Sequence, residues 1–406
     1  MIRHININLK VCTMKKLIFS FIIFLFSVSA FSQNIDDAIL KNMQEQYSRV
    51  KKASENKNYT QASNILDSLI NYYNTLSDEN KEMLGGTVGV FYYDNACYQS
   101  MLNNKEKALD YFSKSIDNKW NNYAHALRDS DLDNLRDDTR FKELMLKLRE
   151  VGDFLFVLKG SDGYNNHLTK KYVKFTYLGA DDPNLTRIRQ HFNLDSIAGK
   201  GDEISQIKNL MTWVHNRVRH DGNSSNPSPR NAIDIVRVCD TEDRGVNCRM
   251  MATILNECYL AMGFKSRFIT CMPKEYISDC HVINAVFSKT LKKWLWMDPT
   301  FNAYVSDENG NLLSIAEVRE RLRSDKPLVL NEDANWNNET KQTKEYYLDS
   351  YMAKNLYWLT TTLHSGYNIE TDKTTGGYIN LFPSGFSTSY DTNGIITTND
   401  KLFWEE

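Results

Sequence analysis

The run Gly245-Val246-Asn247-Cys248-Arg249-Met250-Met251-Ala252-Thr253-Ile254-Leu255-Asn256-Glu257-Cys258-Tyr259-Leu260-Ala261-Met262-Gly263 constrains this chain more than any other segment. It predicts a helix with Cys248 in its first turn and Gly263 as its C-terminal stop. Met251, Leu255, Tyr259 and Met262 then form one buried face. The placement of Cys248 has a chemical consequence. The positive end of a helix favours thiolate over thiol, and the free first-turn amides can bind an oxyanion. Cys258 lies further along the same helix, where a structural thiol is the default.

Strand candidates follow at Phe264 to Met272, after a loop through Pro273 at Cys280 to Ser288, and again at Lys293 to Asp298, which ends at Pro299-Thr300. If Ser288 to Leu291 turns tightly, the last two form an antiparallel hairpin with His281 opposite Asp298 and Ile283 opposite Trp296. His281 and Asp298 then share a face. That is what a general base needs when a carboxylate must fix its tautomer and steady the imidazolium. A slip of one residue would put them on opposite faces.

A Cys opening a helix, a His starting a strand and an Asp before Pro-Thr in W-x-W-M-D-P-T resemble the transglutaminase-like superfamily, related in geometry to papain. The resemblance covers roughly Asp202 to Tyr304. It implies a papain-like domain with a helix packed on an antiparallel sheet, Cys248 as nucleophile, His281 as base and acid, and Asp298 as the orienting carboxylate. The implied chemistry is attack on an amide to give an acyl-enzyme that water or an amine resolves. By analogy with bacterial relatives of the fold, hydrolysis by a peptidase or amidase is favoured over cross-linking. Asn247 adjoins the Cys and Arg244 lies nearby, but neither is assigned as oxyanion donor. Taken singly, each residue has a plain structural role: a helix Cys in the core, a satisfied His, an Asp that forms a turn before Pro. Their order and their helix-strand-strand context favour the chemistry. The alternative of another class is a non-catalytic peptide-binding or scaffold protein that uses its helical repeats. His215 and His220, at the end of an expected surface helix, and His125, His167, His191 and His364, with no evident partner, receive no role.

From about Asn34 to Glu150 apolar residues return every three or four positions, with few Gly and no Pro, which predicts helices. Tyr93 to Tyr98 and Ala108 to Ile116 form a helix pair around the turn Asn103-Asn104-Lys105. Small residues at Ala96 and Ala108 permit close approach, with Phe112 and Ile116 in the groove. The pair resembles a tetratricopeptide unit. An earlier pair, Ile39 to Ser54 and Tyr59 to Tyr73, places Ala62, Leu66 and Leu69 in matching positions. Leu127 to Phe141 is expected to be a loop before a last helix ending near Glu150. Asp153 to Asn193 is a connector with two short strands, Phe154 to Leu158 and Tyr172 to Tyr177. Ile204, Ile207, Leu210, Met211, Val214 and Val218 give a helical stripe before the break at Pro227 and Pro229. Beyond Tyr304, helices are expected at Ser314 to Leu322 and Lys344 to Leu359, the second with Tyr347, Leu348, Tyr351, Met352 and Leu356 as its apolar residues. Short strands are expected from Tyr367 to Phe403.

Met14-Lys-Lys, the apolar run Leu17 to Val28 and the small residues Ser29, Ala30 and Ser32 have the form of a secretory signal, too short for a comfortable membrane span of about 20 residues. Translation is expected to start at Met14, with maturation near Phe31 or Gln33. The protein is therefore expected to be exported, periplasmic or secreted, without a membrane span after signal removal. Six cysteines, Cys97, Cys239, Cys248, Cys258, Cys271 and Cys280, follow the signal; in that compartment Cys239, Cys258, Cys271 and Cys280 could pair or stay reduced around a nucleophilic Cys248. Zinc is disfavoured, since no C-x-x-C pair or His cluster supplies ligands, and no metal or cofactor is expected. Basic and acidic residues number 49 and 51 and are interspersed, which removes any demand for nucleic acid. A peptide or protein substrate is expected, and a protein partner could dock on the helical repeats.

The expected class is α+β: residues 1–32 an upstream extension and signal, 34–152 a tetratricopeptide-like helical region, 153–200 a connector, 201–330 a transglutaminase-like catalytic domain, and 331–406 an extension packed on it.

Overall fold

The computed structural model describes residues 37–166, 173–275 and 279–406. The expected signal segment, Cys12 and the start of the Tyr172 strand lie outside them. The chain divides into two compact units, residues 1–148 and 149–406, with the boundary inside the helix Thr139–Gly152.

The first unit is helical. Its main helices are α1 (Asp37–Glu55), α2 (Tyr59–Thr75), α3 (Thr87–Met101) and α4 (Lys105–Asp117). Each packs on the next. Ala96, Ala108 and Phe112 are wholly buried in the α3–α4 core, whereas Ile116 is only partly covered. Asn103 takes the left-handed conformation that lets the chain reverse between them, at φ 62°. The expected loop from Leu127 to Phe141 contains a 3-10 turn, Ser130–Leu135, which buries Leu132 and Leu135 completely.

The second unit opens with a helix, Phe154–Lys159, where a strand was expected. Asp153 explains the difference: its side chain accepts the Phe156 amide and caps a helix whose Leu158 enters the core. The connector's other strand is only Thr176–Tyr177, paired in parallel with His364–Ser365. The rest of the expected connector is helical, at Pro183–Phe192 and Leu194–Ala198, and three further helices then lead to the sheet: α5 (Glu203–Arg217), α6 (Ala232–Glu242) and α7 (Cys248–Ala261). On α5 the expected stripe is buried from Ile207 onward, with Ile204 half-covered. On α7 burial is not confined to one face, for every residue from Met250 to Ala261 is buried. It is a core helix, covered by other helices as well as by the sheet.

The sheet comprises β1 (Ser266–Met272), β2 (His281–Ser288), β3 (Lys293–Met297), β4 (Trp358–Thr362), β5 (Tyr378–Leu381) and β6 (Ile395–Thr397). Its order is β6-β5-β4-β1-β2-β3, antiparallel except for the β5–β6 pair. Val286, Leu295 and Met297 pack with the helices on one face, while Ile269, Ile283, Ala285, Trp294 and Trp296 join a second core on the other. This is the α+β architecture expected.

The β2–β3 register differs from the tight-turn expectation by two residues: Ala285, not Ile283, lies opposite Trp296, and Ser288 pairs with Lys293. Glu203, the first residue of α5, opens the turn by accepting the Ser288 hydroxyl and the Lys289 and Thr290 amides. Because the offset is even, His281 and Asp298 keep a common face.

Past the sheet's first half, Lys344–Asn355 is helical through a π-turn at Tyr347–Met352, but it stops before Trp358, which starts β4. Trp358 and Leu359 thus belong to a strand rather than to the expected helix. The Tyr367–Phe403 tail supplies β5 and β6 and then a final short helix, Asp400–Phe403.

Candidate active site

Cys248 is the first residue of α7. Asn247 caps the helix by accepting the Met250 amide at 3.2 Å, which leaves the Cys248 side chain at the positive end. Asn284 of β2 donates to the Ala252 carbonyl, and Val282 packs with Cys248 and Ala252, so the first turn of the helix is fastened to the strand that begins with His281. Cys248 remains partly exposed, as a nucleophile must.

His281 is completely buried and held from several sides. Its Nε2–H donates to Asp298 Oδ2 at 2.7 Å, and Nδ1 lies 3.3 Å from the Tyr351 hydroxyl. The Cys248 sulfur is a further partner of the ring. Phe301 and Tyr351 meet it edge-on, with centroids 5.5 and 5.2 Å away. Asp298 is likewise buried, and its two oxygens divide the work. Oδ1 accepts the Thr300 amide at 2.9 Å and shapes the turn after Pro299; Oδ2 takes His281 together with the Tyr347 hydroxyl at 2.6 Å. The turn-forming and ring-orienting roles coexist in one carboxylate. The structure therefore brings all three expected side chains together.

Electrostatics single out this thiol. Burial disfavours a thiolate at Cys248, but the two imidazoles beside it, His220 and His281, overcome it through hydrogen bonding and charge and bring the group down to about 6. Burial likewise opposes charge on His281, yet Asp298 and the Cys248 sulfur lift the ring to about 10. The other five described cysteines move the opposite way. Burial pushes Cys97, Cys258 and Cys271 well above the usual thiol range, raises Cys239, and takes Cys280 to about 12. All six are free thiols.

Three partners escaped the sequence reading. Tyr347 and Tyr351 were assigned only as apolar residues of a helix, and it is the π-turn that aims both hydroxyls at the site. His220, given no role, lies beyond the end of α5 and helps to hold the Cys248 thiol toward thiolate. The signal for it was faint: a His two residues upstream of Gly222, with the deciding partner at Trp336. His215 is buried rather than on the surface, with its ring nitrogens against the Pro299 carbonyl and Asn335. Arg244 turns away to Glu242 and Ser225, and Asn247 is occupied by its cap and by Asn226.

Among the described residues, Cys97, Asp129 and Asp131 of the helical unit bring three metal-capable atoms within 4.8 Å of one another. Asp129 is already engaged by Tyr93, Cys97 and His125. No described helix is long and apolar enough to cross a membrane. A groove of about 650 Å³ between Lys289, Lys293, Trp294 and Trp404 contains none of the three expected residues.

No curated protein matches this chain. A solved structure, a candidate cysteine protease from Cytophaga hutchinsonii, is similar at 19% identity over 36% of this chain, with a TM-score of 0.24, and the match spans 46% of that protein, less than half its length. Residues 190–299 match the family model of the transglutaminase-like superfamily, and that segment is similar to a transglutaminase-like domain.

Proposed function

We infer that this is an exported thiol enzyme that hydrolyses an amide or peptide bond. Cys248 attacks the carbonyl, His281 protonates the departing amine and then activates water, and Asp298 holds the imidazolium in place. The observation that carries the reading is the contrast among the cysteines: Cys248 alone among those described is held toward thiolate, and it stands against a buried His paired to a buried carboxylate. A structural thiol in a packed helix shows the reverse, as Cys258 does. The transglutaminase-like segment 190–299 supports the same chemistry. Hydrolysis is preferred over cross-linking by analogy with the fold's bacterial members.

The test is incubation of the wild type and Cys248→Ala with a peptide and protein library, followed by mass spectrometry. Cleavage or deamidation that depends on Cys248 is expected. Amine incorporation in its place would make the protein a cross-linking enzyme, and identical products from both proteins would overturn the enzyme reading.

A further inference from the structure

Acyl transfer through a thiol requires donors for the oxygen that becomes charged; beside the backbone amide of Cys248 a side-chain donor is needed, and Asn247 and Arg244 are directed to Asn226 and to Glu242 and Ser225. We propose that His220 is that donor: a neutral imidazole, locked in one tautomer by Trp336, whose Nε2–H holds charge on Cys248 at rest and on the substrate oxygen during acyl transfer. The proposal rests on Cys248 being the nucleophile.

The tautomer follows from the partner. Trp336 Nε1–H donates to His220 Nδ1 at 3.1 Å. An indole nitrogen donates and never accepts, so Nδ1 must present its lone pair and the ring hydrogen must sit on Nε2. That leaves Nε2–H as the ring's donor toward Cys248, the thiol it helps to hold toward thiolate. A proton added at Nδ1 would set two N–H groups against each other. The ring thus presents a donor and not a lone pair to Cys248, and its role differs from that of His281, which is paired to a carboxylate.

The backbone is fixed as firmly as the ring. Asn337 brackets His220, accepting its N–H at 2.7 Å and donating to its carbonyl at 3.0 Å. His220 forms a parallel bridge with Val246, two residues before Cys248. Trp336 and Asn337 belong to a hairpin, Asn335–Trp336 with Thr340–Lys341, whose turn uses Asn337 and Asn338 at φ 53° and 58°. One small hairpin thus sets the position and the tautomer of one imidazole.

In the reaction the thiolate attacks the carbonyl carbon, a C–S bond forms, and the C=O π pair moves to oxygen. His220 stabilises that oxygen and gives up no proton. The His281 proton passes to the leaving amine, the C–N bond breaks, and the oxygen pair returns to give the thioester.

Two probes separate the roles. Iodoacetamide alkylates a thiolate without forming an oxyanion; p-nitrophenyl acetate acylates it through one. His220→Ala is expected to slow acylation by about a hundredfold, the usual effect of losing one such donor, while alkylation at equal thiolate fraction is unchanged. His220→Gln, which keeps an N–H, should recover part of the acylation rate. Trp336→Phe removes the donor that fixes the tautomer and should slow acylation in the same sense as His220→Ala, with alkylation at equal thiolate fraction unchanged. Equal loss of both rates in His220→Ala, or an unchanged acylation rate in Trp336→Phe, would overturn the proposal. Failure of the nucleophile reading itself looks different: the wild type would then be alkylated no faster than Cys248→Ala.

Discussion

At the scale of residues, the pairing of Cys248 at about 6 with His281 at about 10 fixes the pH behaviour. Below about 6 the sulfur takes up a proton and the ion pair is lost. Between the two values thiolate and imidazolium coexist; above about 10 the ring has no proton to give a leaving amine. Alkylation by iodoacetamide should therefore rise through pH 6 and stay high, while turnover should fall on both sides, the values belonging to the coupled pair. An alkylation midpoint near the free-thiol value of about 8.5 would contradict the arrangement. Tyr347 provides a second check. Its hydroxyl is one of the donors to buried Asp298, and Tyr347→Phe removes a hydrogen bond to a charged group, a loss of about 1.5–3 kcal/mol. A lowered thermal midpoint with a rapidly alkylated Cys248 is expected from paired melting and labelling measurements. That Cys248, His281 and Asp298 meet was legible in the sequence, because their residue types and their helix-strand-strand order carry it. His220 was not, since its tautomer is decided by a tryptophan more than a hundred positions away, and no local pattern records that.

Among elements, the approach to α7 matters more than the helix itself. Gly245 lies where the chain at Arg219 to Asp221 passes alongside: a Cβ there would come 2.6 Å from the Arg219 carbonyl oxygen and 2.8 Å from the Asp221 Cβ. Both neighbours are fixed, as Val246 N–H donates to the Arg219 carbonyl and Asp221 N–H to the Val246 carbonyl. Gly245→Ala must push these segments apart, at about 1–3 kcal/mol for an overpacked site, and must move His220 away from Cys248. Asn247→Ala removes only a cap, at about 1 kcal/mol. Melting curves should show both losses, but acylation by p-nitrophenyl acetate should collapse only in Gly245→Ala; equal rates in the two variants would mean that the 219–221 segment does not position the site. The helix and the strands were readable from period and composition. The β2–β3 register was not, because the turn is opened by Glu203 on α5, and a hairpin rule that counts only the residues between the strands cannot include it. The Phe154–Leu158 segment misled for a related reason: a short apolar run fits a strand or a buried helix, and a single Asp cap decided it.

Within the second unit as a whole, the end of the chain is tied to the middle of the sheet by a buried cation. Arg267 of β1 is fully buried and donates to the Phe403 and Glu405 carbonyls at 3.0 and 3.1 Å. Its guanidinium lies over Phe175 and Trp294, 4.0 and 4.3 Å from the ring centroids. Burial draws it down to about 10, so it remains charged at neutral pH. Trp294 adds a further tie through its indole N–H to the Trp404 carbonyl. A chain cut after Asn399 would lose these acceptors and the buried Phe403 together. Breaking one side of a buried charged contact costs about 3–5 kcal/mol, which is a large part of a typical domain's stability of about 5–15 kcal/mol. Loss of the cooperative melt, or a strongly lowered midpoint, is expected from calorimetry of the truncated chain. Arg267→Met in the truncated background should recover part of that loss, because a neutral side chain no longer needs the carbonyls. If truncation alone leaves the midpoint unchanged, the terminal segment is an ornament on the sheet and not a part of its core.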